Sequence, residues 1–140
     1  MGGHRLGRYA SGYRLERRVQ QLYTAGGWLV TRFPSSGRQL HPADILAIKR
    51  CNGGTHIHLV ECKNSAKNHV QKSSIYLDIE QITKLISTAN QHQALALVAY
   101  SFPNQHARIT PAHRLKSTGK MLHIDRNDGE SLKSFLANFE

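Results

Sequence analysis

Residues 57–63 read IHLVECK, an alternating, largely apolar run that ends on Glu61, Cys62 and Lys63 rather than on turn residues. Residues 55–62 therefore predict a β-strand whose last turn of side chains carries charge. Immediately before it, CNGG at 51–54 is a tight hairpin signal, and DILAIK at 44–49 reads as the strand on the other side of that hairpin. In an antiparallel pair, the start of one strand lies beside the end of the next. Asp44 and Glu61, with sixteen residues between them, are thereby brought together with no long-range assumption. Two carboxylates at close range repel unless a proton or a cation sits between them. Hard oxygen donors suit Mg²⁺, which commonly takes one or two carboxylates. Lys63 is two residues beyond Glu61, so its ammonium shares that face of the strand and is placed to orient a water or meet negative charge. Taken alone, D…ExK is a weak pattern, and a plain salt bridge explains it equally well.

Outward from the hairpin, Ser11 is a candidate cap for a helix running to about Ala25, with Leu15, Val19, Leu22 and Tyr23 on one face and Gly26-Gly27 ending it. The first residues, Gly2 to Arg8, read as a flexible basic arm over 1–10. WLVTRF at 28–33 predicts a strand, and PSSGRQLHP at 34–42 a loop. A polar connection over 63–76 leads to a helix from about Leu77 to Gln91, whose Ile79, Ile82, Leu85, Ile86 and Ala89 lie on one side. ALALVAY at 94–100 is apolar throughout, the mark of a buried central strand. A short strand near 121–124 and a last helix from about Asp128 complete the order. A hairpin followed by a helical crossover predicts an α/β domain with a central mixed sheet flanked by helices.

The bulk properties narrow the function. The 140 residues fit one domain, 1–140. Nineteen Lys and Arg against nine Asp and Glu give a net charge of +10, a surface that attracts polyanions, nucleic acid foremost. No stretch approaches the roughly 20 apolar residues of a membrane helix, and MGGHRLGRYASG lacks the apolar core of a secretory signal. Two cysteines, Cys51 and Cys62, make no CxxC pair, so a cytoplasmic setting, or a host cell's cytoplasm for a viral protein, is expected. His56 and His58 alternate along the third strand; with no third ligand at suitable spacing they read as its solvent-facing side.

Together these residues resemble the PD-(D/E)xK nucleases with their restriction-endonuclease-like core, and within them the archaeal-type Holliday junction resolvases. The resemblance rests on GYRLERRV at 12–19, GGWLVTRFPSSG at 26–37, HPADILAIK at 41–49 and VECK at 60–63, and spans roughly residues 8–100. Pro42 and Asp44 are separated by Ala43, so the "PD" is not literal. The resemblance implies that Asp44 and Glu61 bind Mg²⁺, for which Mn²⁺ substitutes, with the Cys62 carbonyl as a third ligand and Glu16 completing the acidic cluster. It implies that Lys63 orients the attacking water, that Ser36 meets the scissile phosphate, and that Arg17 and Arg32 hold phosphate oxygens. Gln81, beside Glu80, also falls on a recurring family position. Arg8, Arg14, Arg38, Lys67 and Lys72 are further candidates for phosphate contacts, and each alone is equally a solvated surface charge. The implied activity is metal-dependent cleavage of four-way DNA junctions by a homodimer, part of whose interface comes from the apolar faces of helix 77–91 and the last helix. The alternatives are another nuclease of this superfamily acting on linear or branched DNA, and a basic DNA-binding protein without catalysis.

Overall fold

The structure is a computed structural model that describes residues 2–34, 41–65 and 74–140, with the backbone alone for residues 2–13. Its elements run α1 (Gly2–Ala25), β1 (Leu29–Arg32), β2 (Ile45–Cys51), β3 (Gly54–Asn64), β4 (Ser74–Asp78), α2 (Ile79–Gln91), β5 (Leu95–Ser101), β6 (Arg108–Pro111), β7 (Lys116–Ser117), β8 (Met121–Asp125), β9 (Glu130–Ser131) and α3 (Leu132–Leu136). Six strands form one sheet in the order β1-β2-β3-β5-β6-β9, and β4-β8-β7 form a second. In the large sheet β3 and β5 are parallel, whereas the other neighbours are antiparallel. The expected mixed sheet flanked by helices is what forms.

The hairpin is the starting unit. Cys51 pairs with Gly54 across Asn52-Gly53, and Gly53 takes φ +98°, a left-handed conformation that glycine adopts without a Cβ clash. From there the register runs without a slip to Ile45 opposite Val60. Strand β5 is then laid parallel to β3 by the crossover through α2, and Ala96 to Tyr100 are all buried. Each face of the sheet has its own core. On one side Leu15, Val19 and Tyr23 of α1 and Leu132, Phe135 and Leu136 of α3 pack on Ile45, Ala47, Val60, Leu97 and Ala99. On the other side Ile82, Leu85 and Ala89 of α2 pack on Leu59, Val98 and Tyr100, joined by Ile75, Leu77 and Ile124 from the small sheet. Ile82, Leu85 and Ala89 of α2 and Leu132, Phe135 and Leu136 of α3 are thus buried inside the protomer, whereas Ile79 and Ile86 of α2 remain half-buried.

Other departures have local causes. Helix α1 extends back to Gly2 instead of starting at Ser11; no proline lies in between to stop it. Helix α2 starts at Ile79, because the Asp78 carboxylate accepts from the Glu80 N–H at 2.9 Å and Ser74–Asp78 is extended. That strand, β4, was hidden in the expected polar connection, although Ile75 and Leu77 alternate with exposed Tyr76 and Asp78. The strand near 121–124 exists as β8, yet it pairs with β4 in the small sheet. Strands β6 and β9 were not anticipated, and the last helix begins at Leu132, capped by the Ser131 hydroxyl.

His58 is the clearest correction. It is 1% exposed, not solvent-facing, because α1 and α3 cover that side of β3. Its Nδ1 lies 2.9 Å from the Tyr23 hydroxyl, and Trp28, Phe135 and Phe139 surround the ring. Burial lowers the imidazole pKa from 6.5 to about 3, so it folds in neutral form. A His with a depressed folded pKa adds stability above its unfolded pKa and loses it progressively as pH falls from 6.5 toward 3. His58→Phe should therefore flatten the loss of stability over that acid window, and Tyr23→Phe should cost about 1–3 kcal/mol at neutral pH by leaving the buried ring nitrogen without its partner. Urea denaturation of both variants across pH checks this; an unchanged acid slope in His58→Phe contradicts it.

Candidate active site

The β2–β3 register carries the two acids to one place. Asp44 N–H donates to the Val60 carbonyl at 3.0 Å although Ile45 is the residue registered opposite Val60, so Asp44 sits as an extra residue at the entry to β2, beside the end of β3. The Gln81 bond places the Glu61 carboxylate on the α2 side of the sheet, and the Asp44 carboxyl meets it there. Glu61 is buried, Asp44 half-buried, and the two carboxyl groups are within hydrogen-bonding reach of one another. One oxygen of each is anchored by an N–H: Cys62 N–H donates to Asp44 Oδ2 at 2.8 Å, and Gln81 Nε2 donates to Glu61 Oε2 at 2.7 Å.

Burial raises the pKa of Glu61 from 4.5 to about 8, with the Asp44 charge next in effect, while Lys63 and the Gln81 bond pull it down. Asp44 is also raised, first by burial; the Cys62 N–H, Lys63 and the Glu61 bond oppose this, and Glu16 adds to it. In physical terms the pair holds a proton at neutral pH because two buried charges side by side are too costly.

The residues expected at the site divide between the two faces of the sheet. Asp44, Glu61, Lys63 and Gln81 meet on the α2 side. Glu16 is on the α1 side, where its Oε1 accepts from Arg32 Nε at 2.6 Å, tying α1 to the end of β1. It is near enough to raise Asp44 and Cys62 by its charge, but it is not gathered with the pair: among the described residues no group of three or more His, Cys, Asp or Glu side chains is arranged to hold a metal. Cys62 offers Asp44 its N–H, and its thiol packs against the α1-side core. Arg17 is exposed on α1, and Arg14 lies beside a groove on the α1 side. Ser36, Arg38, Lys67 and Lys72 lie outside the described residues, and Arg8 is described by its backbone alone.

Gln81, expected to touch DNA, donates to the Glu61 carboxylate in this structure. The i, i+4 pairing of Arg18 with Arg14 on α1 was visible in the sequence but drew no expectation.

With this geometry in place, comparison with known proteins is informative. The profile of the archaeal Holliday junction resolvase (Hjc) family matches residues 7–140. The chain belongs to that family. Among solved structures, Archaeoglobus fulgidus Hjc, a Holliday junction resolvase from an archaeal hyperthermophile, superposes with a TM-score of 0.72 at 25% identity, over 89% of this chain and 99% of that one. D212, a nuclease from a fusselovirus, superposes with a TM-score of 0.56 over 96% of this chain and 90% of its own; at 12% identity it shares the fold. No curated protein sequence matches significantly. The family match reaches residue 140, well beyond the stretch of sequence resemblance, so β6, the small sheet and α3 belong to the Hjc pattern too.

The shared proton gives a direct test of the pair. The folded pKa of Glu61 lies above its unfolded value, so the stability tied to the protonated form is complete below about pH 4.5 and is lost as pH rises through about 8. In metal-free buffer, Glu61→Gln should melt higher than the parent at about pH 8.5 by several degrees, with the gap closing near pH 5. Parallel melting curves across that range would contradict a shared proton.

Proposed function

We propose that Asp44 and Glu61 hold a divalent cation, Mg²⁺ by the hardness of its donors, with Mn²⁺ able to replace it, for phosphodiester hydrolysis at four-way DNA junctions. Membership of the Hjc family makes the protein a metal-dependent, junction-resolving nuclease acting on branched DNA, with a place in recombination and repair. Among the described residues no helix is long and apolar enough to cross a membrane. The observation that carries the residue assignment is the buried pair itself. Two carboxylates forced to share a proton, each with one oxygen already anchored, fit a small dication of matching hardness. The site's chemistry is therefore compatible with the cation the family implies.

When bound, such a cation supplies positive charge for the developing negative charge at phosphorus and makes a water easier to deprotonate. Around it the chain's own groups have separate tasks. Gln81 fixes the rotamer of Glu61, and the Cys62 N–H fixes Asp44, so neither acid must reorganise when the proton leaves. The Lys63 ammonium, on the same face two residues on, is positioned to hydrogen-bond the incoming water or a non-bridging phosphate oxygen. Hydrolysis adds the water oxygen to phosphorus in line with the departing ester oxygen, which leaves with a proton. Glu16 positions Arg32 at the edge of the site, and Arg17 and Arg32 take phosphate oxygens through charge-assisted hydrogen bonds. Ser36, eight positions before Asp44 in sequence, has the role of meeting the scissile phosphate. Arg38, Lys67 and Lys72, on the segments flanking the β2–β3 pair in sequence, and Arg8 add to the long-range attraction for DNA.

A junction is resolved by two incisions on strands of like polarity, and a homodimer presents two such sites related by a two-fold axis. Sedimentation of a monomer that still makes paired cuts would remove this part of the proposal.

Asp44→Asn and Glu61→Gln should each lower the cutting rate by at least about a thousandfold while junction affinity holds or rises, since negative charge next to DNA is removed. Lys63→Ala should slow cutting far more than it weakens binding. A synthetic four-way junction and a duplex of the same sequence, with and without Mg²⁺, provide the assay. Equal rates on both substrates would favour a general nuclease, and binding without turnover in either metal would favour a non-catalytic DNA-binding protein.

A further inference from the structure

We infer that the groove between α1 and the carboxyl ends of β3 and β5 is a second phosphate-binding site for the DNA strand being cut, on the opposite face of the sheet from the carboxylate pair. It deepens the junction-nuclease reading and rests on it. The groove has a volume of about 330 Å³ and is lined by Arg14 and Arg18 of α1, Asn64 and Ser101 at the strand ends, and Gln105 and His106 of the β5–β6 loop.

Three observations point to a phosphate. Arg14 and Arg18 are four residues apart on α1, so both guanidinium groups emerge on one side of the helix. Among the described residues neither has an ion-pair or hydrogen-bond partner, although Glu16 between them is engaged with Arg32. Two uncompensated guanidinium groups facing a polar groove form an anion site whose fork geometry matches phosphate oxygens.

The topology then specifies the occupant. Strands β3 and β5 are parallel and in register, with Lys63 opposite Tyr100 and Asn64 opposite Ser101. Ligands of α/β sheets gather outside the carboxyl ends of such strands. Alternation turns Lys63 to the α2 side with Glu61, and its neighbour Asn64 to the α1 side with Arg14 and Arg18. One residue of β3 therefore links the cutting site to the groove across the tip of the sheet. A free phosphate ion would need no such continuity, whereas a polynucleotide backbone running over that tip places successive phosphates first on one face and then on the other. Consecutive phosphates of one strand advance about 3.4 Å along a duplex, so the phosphate in the groove is roughly one to three nucleotides from the scissile position.

The test is the salt dependence of junction binding, measured without divalent cation for the parent and for Arg14→Gln/Arg18→Gln, after melting curves show that both fold. The slope of log affinity against log salt should shrink by about one for each phosphate contact removed. Arg14→Lys/Arg18→Lys should recover most of that slope while binding more weakly than the parent, because charge is kept and the fork is lost. Neutral methylphosphonates placed one at a time within three nucleotides of the cut locate the contact: the parent should lose affinity at one or two of them, and Arg14→Gln/Arg18→Gln should be indifferent at those. Inorganic phosphate serves as the control for a free-ion site, and strong competition at sub-millimolar concentration would overturn the backbone assignment. An unchanged slope, or a methylphosphonate profile identical in parent and variant, would overturn the groove itself. A reduced slope in a protein that cuts no junction would leave the groove standing and remove the resolvase reading; normal junction cutting with an unchanged slope would do the reverse.

Discussion

The contact between the Asp44 and Glu61 carboxyl groups sets the terms for the rest of the structure. The β2–β3 hairpin brings these two acids together where its regular ladder ends, and burial denies them the water that would screen their repulsion. A proton resolves the conflict in the free protein, and on the proposed reading a divalent cation takes its place in the working one. The hairpin fixes the separation of the acids, the crossover delivers Gln81 to one of them, and the backbone of β3 delivers its own Cys62 N–H to the other. Each support comes from a different part of the fold, and none tolerates a change of register: a slip of one residue would turn Glu61 into the α1-side core.

The large sheet also divides the labour. Its α2 side holds the acids and Lys63, the groups proposed to act on a phosphodiester. Its α1 side holds the Glu16–Arg32 pair and the groove lined by Arg14 and Arg18, the groups proposed to grip a backbone. Both sets converge on the same tip of the sheet because β3 ends there, and its alternation sends neighbouring residues to opposite faces. A net charge of +10 supplies the long-range pull on DNA, while the local arrangement decides where along that DNA the charge is spent.

Much of this was legible in the sequence, for reasons that differ by element. The hairpin signal at 51–54 and the alternation on either side fixed the Asp44–Glu61 neighbourhood, since a two-residue turn leaves one register available. The apolar run at 94–100 marked β5, and the spacing of Ile82, Leu85 and Ala89 marked α2. Of the small sheet only β8 was legible: its partner β4 lies about fifty positions away, as with Ser74 and Asp125, and β7 is only two residues long. Burial of His58 was hidden for a related reason: a histidine alternating with apolar residues looks solvent-facing until a distant tyrosine hydroxyl is known to meet it. Glu16 marks a further limit. Its order in the chain matches the family, but its contact with Arg32, sixteen positions away, and its charge on Asp44 are features that linear spacing does not encode.

The central claim is that cation and proton compete for the same two carboxylates, and proton release on metal binding measures that competition most directly. Calorimetric titration of the DNA-free protein with Mg²⁺ or Mn²⁺, repeated in buffers of different ionisation enthalpy, counts the protons displaced. Near neutral pH the account predicts about one proton released per cation bound, falling toward zero well above the Glu61 pKa of about 8, with binding lost in Glu61→Gln. Cation binding that releases no proton at neutral pH, or that survives intact in Glu61→Gln, would contradict it.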